Sequence, residues 1–331
     1  MHVLATYPAD GQGLNAAADA GVACDTPTPD CAVPTDVSIE LRFDRFLLPG
    51  GGLAGGLILF SGDPKANAVS LSPHYDLIER VVVFTTDAPL QPNAVYTAQV
   101  VPSTDPSIGF WAFDRAPLEA GDVPLSFSFM TGSGPAAPVT PPLVTTDNCH
   151  SLTDAEFSND VPLPAGPLSV CRSCHAAPNV AAPTYPPMGL SLTAWGLFYT
   201  AINHVAHEAQ TGNSALNPGL LAAPRFGVQM NLVAPGFPED SYLMYKLLLK
   251  PSNYGPADQC QTAFHSPVAD GGCTPPSDDE LMNLREWFVR GDPMPKDLDS
   301  DTPLSLSRDD LKRVANWIAA GAICSPPFVA Q

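Results

Sequence analysis

Apolar and polar residues alternate along much of the first 130 positions, which is the pattern of strands that bury one face. The clearest runs are Val37–Phe43, Val81–Val83 and Leu125–Phe129, with a looser run at Val95–Val100. Glycine, proline and aspartate stand between these runs, where they favour turns. The pattern predicts the strands of an antiparallel β-sandwich.

In the second half, the apolar residues recur at the three- and four-residue spacing of helices. This spacing predicts helices over Leu192–Ala209 and Ser241–Leu249. Two further helices should begin at the capping boxes Ser277-Asp278-Asp279-Glu280 and Ser307-Arg308-Asp309-Asp310, and Gly321 should end the second of them.

A proline-rich segment separates the two patterns. We therefore expect a β-domain over residues 1–134, a stiff linker over 135–147 and a second domain over 148–331. The chain has 331 residues, which is enough for two hydrophobic cores. Its 38 prolines and 25 glycines predict many turns rather than long uninterrupted helices.

One short segment, Cys171-Arg172-Ser173-Cys174-His175, carries the clearest chemistry. C-x-x-C-H is the attachment signature of c-type haem, in which two thiols bond to the porphyrin and the histidine ligates iron. A thioredoxin-like redox pair would need a βαβ context, and a zinc ribbon would need a second C-x-x-C, which the chain lacks. We expect one covalently attached haem c, held by Cys171 and Cys174, with His175 as the proximal ligand.

The sixth iron position requires a second ligand for electron transfer, or it stays open for small molecules. Met294 is the better candidate, because Pro293 and Pro295 hold its segment out of a helix between the two capped helices. The alternatives that remain open are Met188, Met230, Met282 and the i, i+3 pair His204 and His207.

The other six cysteines form an even set, as in proteins of oxidising compartments. Local spacing favours Cys24 with Cys31 and Cys260 with Cys273 as disulfides. Cys149 and Cys324 then remain, and their pairing would tie the start of the second domain to its end.

Charge and hydropathy limit the partners. The formal net charge of −19 argues against nucleic acid and is compatible with a basic redox partner. The sequence has no run of about eighteen apolar residues, so it does not predict a transmembrane helix. The first residues lack the pattern of a signal peptide, so we expect that a secretion or lipoprotein signal, in the latter case with a lipid anchor, has been removed.

Two resemblances add to this interpretation. The order of Tyr7-Pro8-Ala9-Asp10-Gly11, Ile39–Asp44, Pro89–Thr97 and Phe127–Gly132 resembles the bacterial Ig-like domains of S-layer and other surface proteins. In the second half, the haem motif is followed by a set of segments that resembles the cytochrome c-like domains of bacterial surface and periplasmic proteins: Gly189–Leu192, Val233–Leu243, Met294-Pro295, Leu306–Leu311 and Trp317–Ala322.

The resemblances imply an Ig-like β-sandwich followed by a helical cytochrome c-like domain, which is a multidomain fold class of all-β plus mainly-α. They also imply Met294 as the distal ligand of a His/Met pair. We expect an extracytoplasmic electron carrier rather than an enzyme, located in the periplasm, at the cell surface or outside the cell. The Ig-like domain would serve as a spacer, docking or self-assembly module. A structural surface or filament subunit and a haem sensor with an open distal site are the alternatives.

Overall fold

The protein is described here by a computed structural model. It describes residues 1–15, 31–49, 52–105, 107–136, 147–153, 157–158, 161–162, 166–171, 175, 190–206, 230–254, 275–289, 293–295 and 305–324. Contacts divide the chain into two compact units. The first contains the described residues up to 136, and the second contains those from 147 to 254 and from 277 onward.

The first unit contains two four-stranded antiparallel sheets. Their strands are β1 (Val3–Tyr7), β2 (Ile39–Phe43), β3 (Leu57–Phe60), β4 (Ala68–Val69), β5 (Leu71–Asp76), β6 (Val81–Thr86), β7 (Val95–Val100) and β8 (Ser126–Met130). The strand order is β1-β2-β6-β5 in one sheet and β4-β3-β7-β8 in the other. Every paired neighbour is antiparallel.

The two central strands β2 and β6 supply much of the core of their sheet, and all five residues of β2 are buried. On β2 the side chains of Ile39, Leu41 and Phe43 are fully buried. The register pairs Ile39 with Phe84 and Leu41 with Val82, both of which are also fully buried. Strand β6 is covered on both faces: Val82 and Phe84 are fully buried on one, and Val81 and Val83 of the sequence pattern pack with Ala5 on the other.

Phe110 packs against strands β2 and β6 and against the chain that enters β3. Its ring centroid lies 4.9 Å from that of Phe43 and 6.2 Å from that of Phe84. A Cβ at Gly56, just before β3, would overlap the same ring. Glycine at this position therefore lets the start of β3 approach Phe110 closely.

Among its described residues, the second unit has five short helices. They are α1 (Cys149–Thr153), α2 (Ala194–Thr200), α3 (Tyr242–Leu248), α4 (Asp278–Trp287) and α5 (Arg308–Ala319). Two-residue strands β9 (Phe157–Ser158) and β10 (Val161–Pro162) pair with each other. Short 3₁₀ turns occupy Ser169–Cys171, Pro238–Asp240 and Pro251–Tyr254.

The prediction that the second domain has a helical cytochrome c-like fold is wrong. The largest regular structures of the described chain are the two antiparallel sheets, and the second unit contributes only short helices. The predicted helix over Leu192–Ala209 shows the reason. It ends at Thr200, and Asn203 has a φ of 59°. Ile202 and Val205 then form bridges with Val233 and Asn231, as suits β-branched residues.

Helix α5 has well-defined ends. Ser307 and Asp310 form a complete capping box at its start. At its end, Gly321 has a φ of 99°. The amides of Gly321 and Ala322 bond to the carbonyls of Ile318 and Trp317, which is the Schellman arrangement. The predicted capping box and glycine stop of this helix are confirmed. At α4, Ser277 accepts a bond from the Glu280 amide.

Helix α5 is also joined to the start of the second unit. A disulfide links Cys149 to Cys324, whose Cα atoms lie 4.8 Å apart. Arg313 donates two hydrogen bonds to the Asp147 carboxylate, at 2.8 and 3.1 Å. Cys31 is also disulfide-bonded, whereas Cys24, Cys260 and Cys273 lie outside the described residues. No helix among the described residues combines the length and apolar character needed to cross a membrane.

The disulfide closes a sequence separation of 175 residues, so it strongly restricts the unfolded chain. We expect the double variant Cys149→Ser/Cys324→Ser to lower the free energy of unfolding of the second unit by about 2–4 kcal/mol. Urea denaturation measures this loss. An unchanged midpoint and slope would contradict the prediction.

Candidate functional site

The segment of residues 190–192 contacts both the side chain and the backbone carbonyl of His175. The imidazole Nδ1 lies 3.3 Å from the carbonyl oxygen of Leu190. The amide of Leu192 donates to the carbonyl of His175 at 2.6 Å. His175 is buried, with 9% of its surface exposed. An Nδ1–H bond to a carbonyl fixes the tautomer that leaves Nε2 for a metal.

Thr200 and Gly196 hold that short segment against helix α2. The Thr200 hydroxyl accepts from the Ser191 amide at 2.9 Å and contacts the Ser191 carbonyl at 3.2 Å. A Cβ at Gly196 would overlap the Ser191 side chain. Helix α2 begins at Thr193, whose hydroxyl caps it by accepting from the Gly196 amide. The surroundings of His175 are therefore built from backbone bonds and one small residue.

The environment favours neutral His175. Burial lowers the pKa of the imidazole below its ordinary value of 6.5, and the nearby positive charge of Lys246 lowers it further. The bond to Leu190 acts in the opposite direction. A neutral imidazole is the form that can ligate a metal.

Met294 is bonded to the same helical residue. Its amide donates to the Lys246 carbonyl at 3.3 Å. The positive charge of Lys246 also acts on the His175 imidazole. The peptide between Met294 and Pro295 is cis.

Aromatic packing positions α3 from another side. The Phe288 ring lies edge-on against Tyr242 and Tyr245, with centroid distances of 5.7 and 5.0 Å. The Tyr245 hydroxyl donates to the Glu239 carbonyl at 2.9 Å. The helix that carries Lys246 is therefore fixed by buried contacts along its length.

The other candidates are distributed as follows. Cys171 is buried at the end of its 3₁₀ turn, and Cys174 lies outside the described residues. Met230 is buried, Met282 is 63% exposed on α4, and His204 is exposed. Met188 and His207 lie outside the described residues.

Sequence reasoning did not identify Lys246, Thr200 or Gly196 as parts of the site. They act through a charge, a hydroxyl bonded to the backbone and the absence of a side chain, and none of these forms a motif. Within the described ranges, no cluster of three or more His, Cys, Asp or Glu side chains is arranged to hold a metal ion.

Comparisons with known proteins give little further information. No family model matches the chain, and no curated protein matches it. A structure of the surface layer protein SbsC, domains 1–6, aligns at 10% identity over 30% of this chain and 12% of that one, with a TM-score of 0.23. The S-layer protein rSbsC(31-844) aligns at 12% identity over 41% of this chain and 18% of that one, also at 0.23. Likeness at this level carries no argument about fold or function.

Gly196 gives a test of how the His175 surroundings are built. We expect Gly196→Ala to lower the free energy of unfolding by about 1–3 kcal/mol, because the added methyl displaces Ser191. The second change Ser191→Gly should restore part of the loss by removing the overlapped side chain. Thermal unfolding of both variants measures this effect. Equal stabilities for the single and double variants would contradict the prediction.

His175 gives a pH test in the haem-free chain. Because its pKa is lowered on folding, the unfolded chain binds the proton more readily. The contribution of neutral His175 to the free energy of unfolding should therefore be fully present above about pH 6.5. It should decrease as the pH falls towards the pKa of His175 in the folded chain. His175→Gln should flatten this fall in urea titrations at a series of pH values, with His204→Gln as the control. Equal slopes for His175→Gln and the unaltered chain would count against the prediction.

Proposed function

We propose that this chain is an extracytoplasmic haem protein that binds one haem c covalently and transfers single electrons. The observation that carries the proposal is the buried His175 of a C-x-x-C-H segment, with Nδ1 facing a backbone carbonyl. That arrangement leaves Nε2 as the nitrogen for iron. Haem c supplies one-electron Fe(III)/Fe(II) chemistry when it is bound.

The residues fit this cofactor in their chemistry. Cys171 and Cys174 supply the two thiols, and His175 supplies a neutral nitrogen ligand. The thioether of Met294 is the proposed distal ligand, because Pro293 and Pro295 hold its segment out of a helix between α4 and α5. The attachment requires only two thiols and an imidazole at this spacing, so it does not depend on a cytochrome c fold.

The disulfides support a cellular compartment for the protein, and its net charge supports a class of redox partner. Disulfides at Cys149–Cys324 and at Cys31 support an oxidising location outside the cytoplasm. The net charge of −19 would attract a basic redox partner. We propose that the β-sheet unit contributes a spacer or docking surface, because the candidate chemistry lies in the second unit.

The test is the optical spectrum and intact mass of protein made in cells that mature c-type haem. We expect the mass of one haem, a low-spin spectrum and a far-red thioether-to-iron band in the oxidised state. Met294→Ala and Met294→His should each abolish that band. Met282→Ala removes an exposed methionine and should retain it, which makes it the matched control.

Two outcomes would redirect the proposal. Absence of covalent haem in protein with intact Cys171 and Cys174 would refute it. A haem-loaded wild type that lacks the far-red band and binds carbon monoxide readily would favour the sensor with an open distal site.

A further inference from the structure

A fully buried amide connects three parts of the second unit. Asn253 has no exposed surface. Its Nδ2 donates to the Leu247 carbonyl at 2.8 Å and to the Met294 carbonyl at 3.1 Å. Its Oδ1 accepts from the Leu306 amide at 2.9 Å. The side chain thus joins the end of α3, the Met294 segment and the chain that enters α5.

Further bonds hold the same segment. Lys250 Nζ donates to the Pro295 carbonyl at 2.8 Å, and this lysine is 7% exposed. The Met294 amide donates to the Lys246 carbonyl at 3.3 Å. Every polar backbone group of the Met294-Pro295 pair therefore bonds to the stretch from Lys246 to Asn253.

These side-chain bonds are costly to lose because three of them are buried and the bond to the Met294 carbonyl is partly buried. A buried carbonyl without a donor loses its hydrogen bonds to water and has no hydrogen bond within the protein to compensate for them. The Asn253 amide uses both donor hydrogens and its oxygen, so no other side chain of similar size replaces all three bonds. The Asn253 side chain therefore helps to fix the position of the Met294 backbone, from which the thioether extends.

We propose that Asn253 is a positioning residue that, with Lys250, holds the Met294 backbone where its thioether ligates haem iron. This inference rests on the proposed function. Asn253 acts through Met294 and does not itself contact the iron. Loss of its donors should weaken the sixth ligand while the proximal side remains intact.

Asn253→Asp is the sharpest variant. It keeps an acceptor for the Leu306 amide but replaces the donors to Met294 and Leu247 with a carboxylate oxygen. Lys250→Met removes the bond from Nζ to the Pro295 carbonyl and keeps the apolar stem. The matched control is Tyr254→Phe, which removes the buried hydroxyl bond to the Leu248 carbonyl, 3.0 Å long, without touching Met294.

The measurement is the affinity of the oxidised holoprotein for added imidazole, which competes with Met294 for iron. Asn253→Asp and Lys250→Met each remove one hydrogen bond to the Met294-Pro295 pair, which should strengthen imidazole binding about 3- to 10-fold. Tyr254→Phe should change it by less than about twofold. Hydrogen exchange at the Met294 amide should accelerate in the first two variants alone.

Failure of this inference can be told apart from failure of the proposed function. If the wild type has the far-red band but the Asn253 and Lys250 variants bind imidazole like Tyr254→Phe, the positioning role is overturned and the ligation stands. If the wild type lacks the band and Met294→Ala leaves its spectrum unchanged, distal ligation fails and the positioning role fails with it. If Asn253→Asp does not fold, Lys250→Met and the exchange rates decide.

Discussion

The second unit depends on polar side chains that satisfy its irregular backbone. Between short helices, buried N–H and C=O groups have no ladder to pair with, and leaving them without partners would destabilise the fold. Asn253 bonds to two carbonyls and one amide. Ser241 accepts from the Ala234 amide and donates to the Phe237 carbonyl, each at 2.9 Å. Thr200 serves Ser191 in the same way. These bonds replace regular structure as the source of a defined geometry around His175 and Met294.

The sequence predicts elements whose signals are local, and it fails where distant residues decide. Ser307, Asp310 and Gly321 lie within one turn of the helix ends that they determine, so α5 is readable from the sequence. The predicted helix over Leu192–Ala209 fails because pairing with residues near Val233 outweighs the helical spacing beyond Thr200. Likewise, the roles of Asn253 and Lys250 require knowledge of which carbonyls fold against them, and no spacing along the chain contains it.

The contrast between fold and candidate chemistry has a physical reason. Haem attachment depends on five consecutive residues, and the chemical requirement for two thiols and an imidazole at that spacing is independent of the surrounding architecture. A helical domain depends instead on many side chains packing together, and the 38 prolines of the chain interrupt such helices. An error in fold class therefore leaves the proposal of a haem site standing, because function is argued from the site.

Two kinds of charge act on the candidate site: the net charge of the whole chain and the charge of individual residues close to His175. The net charge of −19 would stabilise oxidised iron, since the ferric state carries one more positive charge. Most of that charge is screened by salt over a Debye length of about 8 Å at physiological ionic strength. Lys246 carries the opposite charge, which adds to the effect of burial in lowering the pKa of His175. A close cation in a partly buried site is screened less than distant surface carboxylates. Under the proposed function, the Lys246 charge that acts on His175 would also act on iron held by this imidazole, against the charge of the distant carboxylates.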